Sequence, residues 1–244
     1  MSALARPFVP LAYWGFEHRW QLLPPLTGVA MLALIAGALI AAPREAVEGE
    51  VQRIFYIHLP VIAASYLAFT VVFVASVVVL WKRDMRWDAV ARSAATVGVL
   101  FTALTLVTGA IWGKPIWGVW WAWEARLITT LLLFLIYGGY LLVRSMAAPN
   151  DEQAARYAAV FAVIGFLDIP LIHMSTRWWR TLHPDAIVLR ARPALPVEML
   201  VVLLIGLIAV TLLALWLLVL RVETERMSQR TLSIRAELDR REGI

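Results

Sequence analysis

Histidine is the first residue type in this chain whose positions suggest chemistry. The 244 residues contain four histidines; His58 and His173 lie at the ends of long apolar segments, and His183 lies in the connecting segment that follows His173. Neutral imidazole is a common ligand of iron, and two histidines from separate segments can bind one iron ion from opposite sides. One histidine near a membrane surface is usually an interfacial polar residue, but three at one predicted face favour a metal-binding role. His18 lies in the N-terminal segment, outside this group.

Tryptophan is concentrated in one short segment. Residues 112–124 read WGKPIWGVWWAWE and contain five of the twelve tryptophans, and a Trp178–Trp179 pair follows later. An aromatic belt at the membrane interface is the commonest use of tryptophan in membrane proteins, but a belt spreads over many helix ends. The local density favours a flat aromatic platform for a large planar ligand, with the belt as the alternative. The platform candidates are Trp112, Trp117, Gly118, Trp120, Trp121, Trp123 and Glu124.

Arginines flank these segments. Arg53 precedes His58, Arg126 follows the tryptophan-rich segment, and Arg180 lies next to the tryptophan pair. Guanidinium groups bind carboxylates with matching geometry. Haem, a planar iron porphyrin, carries two carboxylates on its propionate side chains. For any single arginine, snorkelling to lipid phosphate is the alternative. We favour the ligand for Arg53 and Arg126.

Two carboxylates have roles that the sequence leaves open. Glu124 closes the tryptophan-rich segment, where it could orient Arg126 or an indole N–H, or cap the following helix. Asp168 falls inside an apolar segment, where an ionisable residue is expensive. Because it lies two residues before Pro170, we expect it to satisfy backbone groups that the proline frees, with proton transfer as the alternative.

Long apolar segments must position these residues. The chain is 61% apolar and 16% charged with a mean hydropathy of +0.76, so it has more apolar surface than one soluble core can hide. Continuous apolarity predicts an all-α membrane protein that forms one domain over residues 1–244. The predicted spans are 24–42, 54–81, 93–113, 127–143, 154–172 and 195–220. The fifth is the weakest, because it contains Gly165, Asp168 and Pro170.

Lysine and arginine predict the orientation of these six spans. Fourteen of them fall on the side of the two termini and eight fall on the other side. We therefore expect both termini in the cytoplasm, with residues 221–244 as a solvated helical tail. The segments 43–53, 112–126 and 173–194 then face the periplasm. The tryptophan-rich loop 112–126 and three histidines share that face.

Several functional classes are excluded or disfavoured. Without cysteine, the chain has no disulfide, no thiolate ligand and no residue for covalent haem attachment. It has no phosphate-binding loop, dinucleotide fingerprint or HExxH motif, and its net charge of +5 is ascribed to membrane orientation rather than to nucleic acid binding. An ion-coupled transporter of a small substrate would need paired polar residues at the midplane. That transporter and a purely structural membrane subunit are the alternatives to ligand binding.

Three separated motifs resemble a known family. The run 117–127, WGVWWAWEARL, is similar to the WWD signature of haem-handling proteins, with Glu124 at the usual aspartate position. The segments YIHLP at 56–60 and WWRTLH at 178–183 resemble, more narrowly, the haem exporter protein C (CcmC) family. The number of spans and the length also resemble that family over essentially the whole chain.

The resemblance implies a specific function. Members of this family are non-enzymatic subunits of the bacterial inner membrane that bind haem b transiently and without a covalent bond. They present it to the haem chaperone CcmE during cytochrome c maturation. CcmA, CcmB and CcmD associate with them in an ABC-type complex, in which CcmA hydrolyses ATP. The matching axial ligands are His58 and His183. The family pattern does not mark His173 as a ligand, but the sequence alone leaves it open as a replacement for His183. The other candidate site residues of lower rank are Trp178, Trp179, Arg180 and Asp168.

Overall fold

The described part of the protein is helical. The structure, a computed structural model, describes residues 17–148, 151–183 and 195–242, and no strand occurs within them. We number the α-helices α1 (Arg19–Ala36), α2 (Phe55–Lys82), α3 (Met85–Trp117), α4 (Ala125–Met146), α5 (Glu152–Phe166), α6 (Asp168–Trp178) and α7 (Val197–Glu242). A π-helical turn, Gly37–Ala41, extends α1, and a 3-10 helix, Glu50–Ile54, leads into α2.

Six helical segments within the described ranges are long and apolar enough to cross a membrane. They are Arg19–Ala41, Glu50–Lys82, Met85–Trp117, Ala125–Met146, Glu152–Trp178 and Val197–Leu232. The prediction of an all-α, six-span protein is therefore confirmed. The sixth span extends twelve residues beyond its predicted end, and the largest difference at a start is in the third span, which starts eight residues before the predicted position. It does so because the Asp84 side chain accepts a hydrogen bond from the N–H of Arg86 (3.0 Å) and so caps α3.

The fifth span consists of two helices. α5 ends at Phe166, and α6 begins at Asp168. Pro170 has no N–H and its ring conflicts with the carbonyl of the residue four positions earlier, so the helix restarts and the proline falls in the new first turn. The interruption thus lies between Gly165 and Pro170, the residues that made this segment the weakest of the six predicted spans.

Small residues allow α2 and α3 to pack closely. Gly98 faces Phe69, and a Cβ atom on Gly98 would lie 2.5 Å from the Phe69 ring. Phe69 stacks in turn on Tyr137 of α4, with ring centroids 3.9 Å apart. The hydroxyls of Ser65 and Thr102 are joined by a hydrogen bond of 2.8 Å. Close approach and interhelical hydrogen bonds are the usual means of holding helices together in lipid.

The two ends of the bundle differ in their connections. At one end, Arg19 of α1 pairs with Glu223 of α7 (3.0 Å), and Arg92 of α3 pairs with Glu225 (2.7 Å). We call this the tail end, because α7 continues there without interruption through the charged segment. At the other end, which we call the loop end, lie residues 42–54, 118–124 and 179–183. The predicted outer residues 184–194, the N-terminal residues 1–16 and the final residues 243–244 lie outside the described residues.

Candidate functional site

The candidate site lies at the loop end, around the last turns of α3. Trp112 donates its indole N–H to Glu48 of the first loop (3.0 Å). Glu124, directly before α4, accepts a hydrogen bond from the hydroxyl of Thr181, which follows α6 (2.6 Å). Trp112, before the 118–123 loop, therefore connects it to the first loop, and Glu124, after it, connects it to the segment that follows α6.

The tryptophan-rich segment is only partly irregular. Its glycines and proline favour an irregular conformation, but residues 112–117 belong to α3, which extends four residues beyond the predicted span. Pro115 falls in the last turn of that helix and has no N–H to donate to the carbonyl of Ile111, and the helix ends two residues later. Gly118 then ends the helix with φ +77°, a left-handed conformation that favours glycine. The helical part fixes the directions of Trp112 and Trp117, and the irregular part begins at Gly118.

His58 lies in the first turn of α2 and faces α3. Its Nδ1 is 2.8 Å from the Oγ1 of Thr108, and the Thr108 hydroxyl donates its own hydrogen to the carbonyl of Leu104 (2.7 Å). The imidazole must therefore donate from Nδ1, which leaves the lone pair on Nε2. Gly109 makes this approach possible, because a Cβ atom there would lie 3.1 Å from Cε1 of His58. The ring also packs edge-on against Trp112, at a centroid distance of 5.6 Å.

His183 is held in the same way by different residues. Its Nδ1 is hydrogen-bonded to Oε1 of Glu124, whose Oε2 accepts from the Thr181 hydroxyl and from the N–H of Leu182 (2.7 Å). The ring packs edge-on against Trp117, at a centroid distance of 4.8 Å. Both histidines therefore contact the end of α3, and no described residue is hydrogen-bonded to Nε2 of either ring.

The charges around His183 favour a neutral imidazole beside an ionised carboxylate. Burial raises the pKa of Glu124, but hydrogen bonds from Thr181, Leu182 and His183 outweigh it and hold this pKa below its ordinary value. Burial lowers the pKa of His183, and Arg126 adds to this effect, although Glu124 opposes it. At neutral pH, Nδ1 of His183 therefore carries the proton and donates it to Glu124. Nε2 is unprotonated, as a metal ligand must be.

Arg126 is the cation whose charge acts on both histidines. It lies within electrostatic range of both His58 and His183. Among the described residues, none forms an ion pair or hydrogen bond with its guanidinium. Arg53 differs, because it donates to Glu50 and to the carbonyl of Ala38. The structure thus leaves Arg126 available to an anionic ligand and uses Arg53 within the first loop.

The tryptophans of the predicted platform fall into two groups. Trp112 and Trp117 are half-buried and position the histidines. Trp120 and Trp123 are exposed on the loop, and Trp121 lies half-buried against Trp123. Exposed indoles also occur in the second pair, Trp178 and Trp179, and Arg180 beside them is exposed. The exposed group supplies the aromatic surface.

Glu124 and Asp168 do not have the roles that were expected from the sequence. The Glu124 side chain makes no capping hydrogen bond at the start of α4, where only its backbone carbonyl accepts from the N–H of Ile128 (3.0 Å). Its carboxylate bonds to residues 181–183 instead of to an indole or to Arg126. Asp168 is buried, and neither carboxylate oxygen has a hydrogen-bond partner among the described residues. The expected bond to a freed backbone group is missing because Pro170 frees a carbonyl, to which a carboxylate cannot donate.

His173 lies on α6, away from the contacts that organise the other two histidines. Its Nδ1 is hydrogen-bonded to the carbonyl of Ile169 (3.1 Å), and its ring lies 5.2 Å from that of Tyr66. Neither Trp112 nor Trp117 contacts it. The structure therefore groups His58 with His183 around α3 and leaves His173 apart.

Comparison with known proteins shows the family of this chain. The model of the family described as "Heme exporter protein C" matches residues 9–237. The chain belongs to the CcmC family. The protein named "Heme exporter protein C" in Bradyrhizobium diazoefficiens is 36% identical over 217 residues, which cover 88% of this chain and 82% of that protein. Its namesake in Haemophilus influenzae is 35% identical, over 84% of this chain and 83% of that protein.

A mitochondrial relative extends the same similarity. The Arabidopsis thaliana protein named "Putative cytochrome c biosynthesis ccmC-like mitochondrial protein" is 32% identical over 83% of this chain and 77% of that protein. Membership of the CcmC family, together with the six apolar helices, makes this chain a multi-pass membrane protein with a role in haem handling for cytochrome c biogenesis.

Sequence reasoning missed three residues that orient the histidines. Thr108 and Gly109 receive His58, and Thr181 shares the Glu124 carboxylate with His183. The spacing offered one weak signal, since Thr108 lies four residues before Trp112 and therefore on the same helical face. Nothing in the sequence paired Thr108 with a histidine fifty residues earlier.

Proposed function

We propose that this protein binds haem at the loop end and presents it to the haem chaperone CcmE. One observation carries the proposal. Nδ1 of His58 and Nδ1 of His183 are each hydrogen-bonded to a neighbouring side chain, which leaves Nε2 of both rings as an iron ligand beside the same helix end. Histidines that bind metals almost always donate the other ring N–H to a carboxylate or another acceptor, and here the acceptors are Thr108 and Glu124.

The ligand set fits haem better than a bare metal ion. Within the described residues, no group of three or more His, Asp or Glu side chains is arranged to hold a metal ion. Haem iron brings four equatorial nitrogens of its own, so two axial imidazoles complete its coordination. Because the chain has no cysteine, it holds haem as cargo, without thioether bonds to itself.

The remaining residues of the site match the other parts of a haem molecule. Arg126 is our candidate for the propionates, since its guanidinium is unpaired among the described residues and lies near both histidines. Arg53 is the second candidate, and it would have to exchange its bond to Glu50. Trp120 and Trp123 offer exposed aromatic surface for the porphyrin. Part of the site lies on the loops 118–124 and 179–183, and we expect this part to leave an edge of the porphyrin accessible to CcmE.

We place this chain in the bacterial inner membrane with the loop end in the periplasm. The excess of lysine and arginine on the tail side supports this orientation. We further propose that CcmA, CcmB and CcmD assemble with it into an ABC-type complex in which CcmA hydrolyses ATP. In this scheme the chain itself is a non-enzymatic subunit that binds and delivers haem b. Its single domain spans residues 1–244, the tryptophan-rich haem loop spans 112–126, and the cytoplasmic tail spans 221–244.

The visible absorption spectrum of the purified protein tests the proposal. We expect protein from haem-sufficient cells to show a Soret band of six-coordinate haem, and the haem to move to CcmE when the two are mixed. A preparation without haem, despite intact CcmE and a normal haem supply, would refute the proposal. A small-substrate transporter or a structural subunit predicts that result.

Glu124→Gln is expected to weaken haem binding about 10–100-fold, the range seen when the outer partner of a metal ligand is lost. Three donors point at the Glu124 carboxylate: the Thr181 hydroxyl, the Leu182 N–H and Nδ1–H of His183. Glutamine has one accepting oxygen, so its NH₂ group must face one of these donors. If it faces His183, the proton moves to Nε2 and blocks the iron ligand. Titration of the apoprotein with haem, followed at the Soret band, measures the loss.

Glu124→Asp is the matched control for this substitution. It keeps the carboxylate and shortens it by one methylene, which gives the residue usual in the signature. We expect its haem affinity to lie between those of the wild type and Glu124→Gln, with all three proteins at equal levels in the membrane. Wild-type affinity in Glu124→Gln would show that the carboxylate does not set the state of His183.

A further inference from the structure

A cavity at the tail end lies opposite the haem site. It has a volume of about 280 Å³ and lies between α3, α4 and α7. Its lining residues are Arg92, Thr96, Leu141, Ser145, Arg221 and Glu225. Nothing in the proposed haem function uses this cavity, and its walls combine charged groups with apolar side chains.

The charges around the cavity leave one positive charge unbalanced. Arg92 forms a partly buried ion pair with Glu225, which uses one terminal nitrogen of its guanidinium (2.7 Å). Arg221 also lines the cavity, and no described residue forms an ion pair or hydrogen bond with it. The cavity therefore contains two arginines and one carboxylate, and a ligand with one negative charge would complete the balance.

A second ion pair behind the wall does not remove this excess. Arg144 lies next to the lining residue Ser145, and it is paired with Asp88, one helical turn before Arg92 (2.8 Å). Both partners are almost fully buried. The Nε and Nη1 atoms of Arg144 have no hydrogen-bond partner among the described residues. The potential in this region is thus set by three arginines and two carboxylates.

The depth of the cavity matches that of lipid headgroups. Exposed tryptophans Trp20, Trp81 and Trp87 lie near the tail ends of α1, α2 and α3, a position typical of the membrane–water interface. Arg92 follows Trp87 by five residues, which is about 7.5 Å along the helix axis. On α4, the exposed side chains of Leu142 and Val143 show that apolar, lipid-facing surface adjoins the cavity.

We propose that this cavity binds the phosphate of an anionic phospholipid whose headgroup carries one negative charge, such as phosphatidylglycerol. The guanidinium of Arg221 binds the phosphate oxygens, and the outer face of Arg92 contributes to the same potential. The acyl chains lie along the apolar surface of α4 next to Leu141. Basic pockets between membrane helices commonly bind lipid headgroups, and arginine matches phosphate geometry. The site does not depend on the haem proposal or on which leaflet the tail end faces.

Native mass spectrometry of the full-length protein tests this site. The protein is equilibrated in mixed micelles that contain phosphatidylglycerol and phosphatidylcholine in equal amounts. We expect the wild type to retain phosphatidylglycerol selectively. Arg221→Gln should bind it about tenfold more weakly, the effect of losing one charge-assisted hydrogen bond. Arg221→Lys, which keeps the charge without the planar fork, should fall between the two. Because Arg221 has no partner among the described residues, these substitutions break no bond within them.

Arg226→Gln is the matched control. Arg226 lies on the same helix five residues further on, faces away from the cavity, and is exposed beside Glu223. Equal losses of phosphatidylglycerol in Arg226→Gln and Arg221→Gln would overturn the proposal, because they would indicate a diffuse surface attraction. Unchanged binding in Arg221→Gln would overturn it as well. In a last experiment, inorganic phosphate is added to the wild type at millimolar concentration. Displacement of phosphatidylglycerol by phosphate would overturn the proposal and assign the site to a soluble anion.

Discussion

Replacement of either His58 or His183 by alanine is expected to remove most of the haem from the purified protein. Each imidazole supplies one of the two axial bonds, and each is held in place by its own acceptor, Thr108 or Glu124. Loss of a direct ligand should cost more than the roughly 10–100-fold expected for an outer partner. The ratio of Soret absorbance to protein absorbance, measured on material purified in the same way, gives the loss for each variant.

His173→Ala is the control that makes this prediction specific. His173 is also a histidine at the end of a span, but it contacts Tyr66 rather than the end of α3. We expect this variant to keep the wild-type haem content. Loss of haem in His173→Ala with retention in His183→Ala would assign the second ligand to His173 and contradict the pairing that the structure favours.

Added imidazole separates a lost ligand from a damaged fold. In His183→Ala the side chain is removed, but Trp117, Glu124 and Thr181 remain to line the space. Free imidazole at millimolar concentration should restore a six-coordinate spectrum in this variant and leave the wild type unchanged. If haem does not return and the protein level has also fallen, the histidine is needed for folding, and the assignment as ligand loses its support.

The sequence predicted which residues meet in the candidate site better than it predicted their arrangement. His58, His183 and the tryptophan-rich loop could be found because their residue types are rare and their positions cluster at span ends. The partner of each histidine could not be found, since Thr108 and Thr181 are common residues whose roles depend on how α2, α3 and α6 pack. Glu124 shows why. The sequence suggested that its carboxylate orients Arg126 or an indole N–H, or caps α4, but in the structure it bonds to residues 181–183, which are fifty-seven to fifty-nine positions away.

The fold was predictable to the extent that hydropathy determines it. Apolarity over about 20 residues is a physical requirement for crossing the hydrocarbon, so all six spans could be recognised. Hydropathy does not report where a helix stops beyond the membrane, which is why α3 begins earlier than predicted. Hydropathy also gave no sign that Arg144, one of the fourteen basic residues counted on the side of the termini, is buried in an ion pair. The position of that side chain depends on Asp88, fifty-six residues away.

Asp88 and Arg144 form an ion pair in the interior of the bundle. The side chains are 2% and 1% exposed, and they join α3 to α4 through a hydrogen bond of 2.8 Å. A buried ion pair adds little net stability compared with apolar residues of similar volume, because both charges must leave water. Removal of one partner is different, since it strands the other charge without solvent. The loss of stability caused by a single substitution therefore reports how deeply the remaining charge is buried, not how strongly the two side chains attract each other.

We expect Arg144→Met to lower the free energy of unfolding by about 3–5 kcal/mol, the usual cost of leaving one member of a buried pair uncompensated. Arg86→Met is the matched control, because Arg86 pairs with Asp84 at the surface and its loss should leave stability nearly unchanged. The double variant Asp88→Ala with Arg144→Met should recover part of the loss, since no charge then remains stranded. Denaturation in mixed micelles, followed by circular dichroism, measures all of these. If the double variant were as unstable as the sum of its single variants, the cost would come from lost packing rather than from the stranded charge.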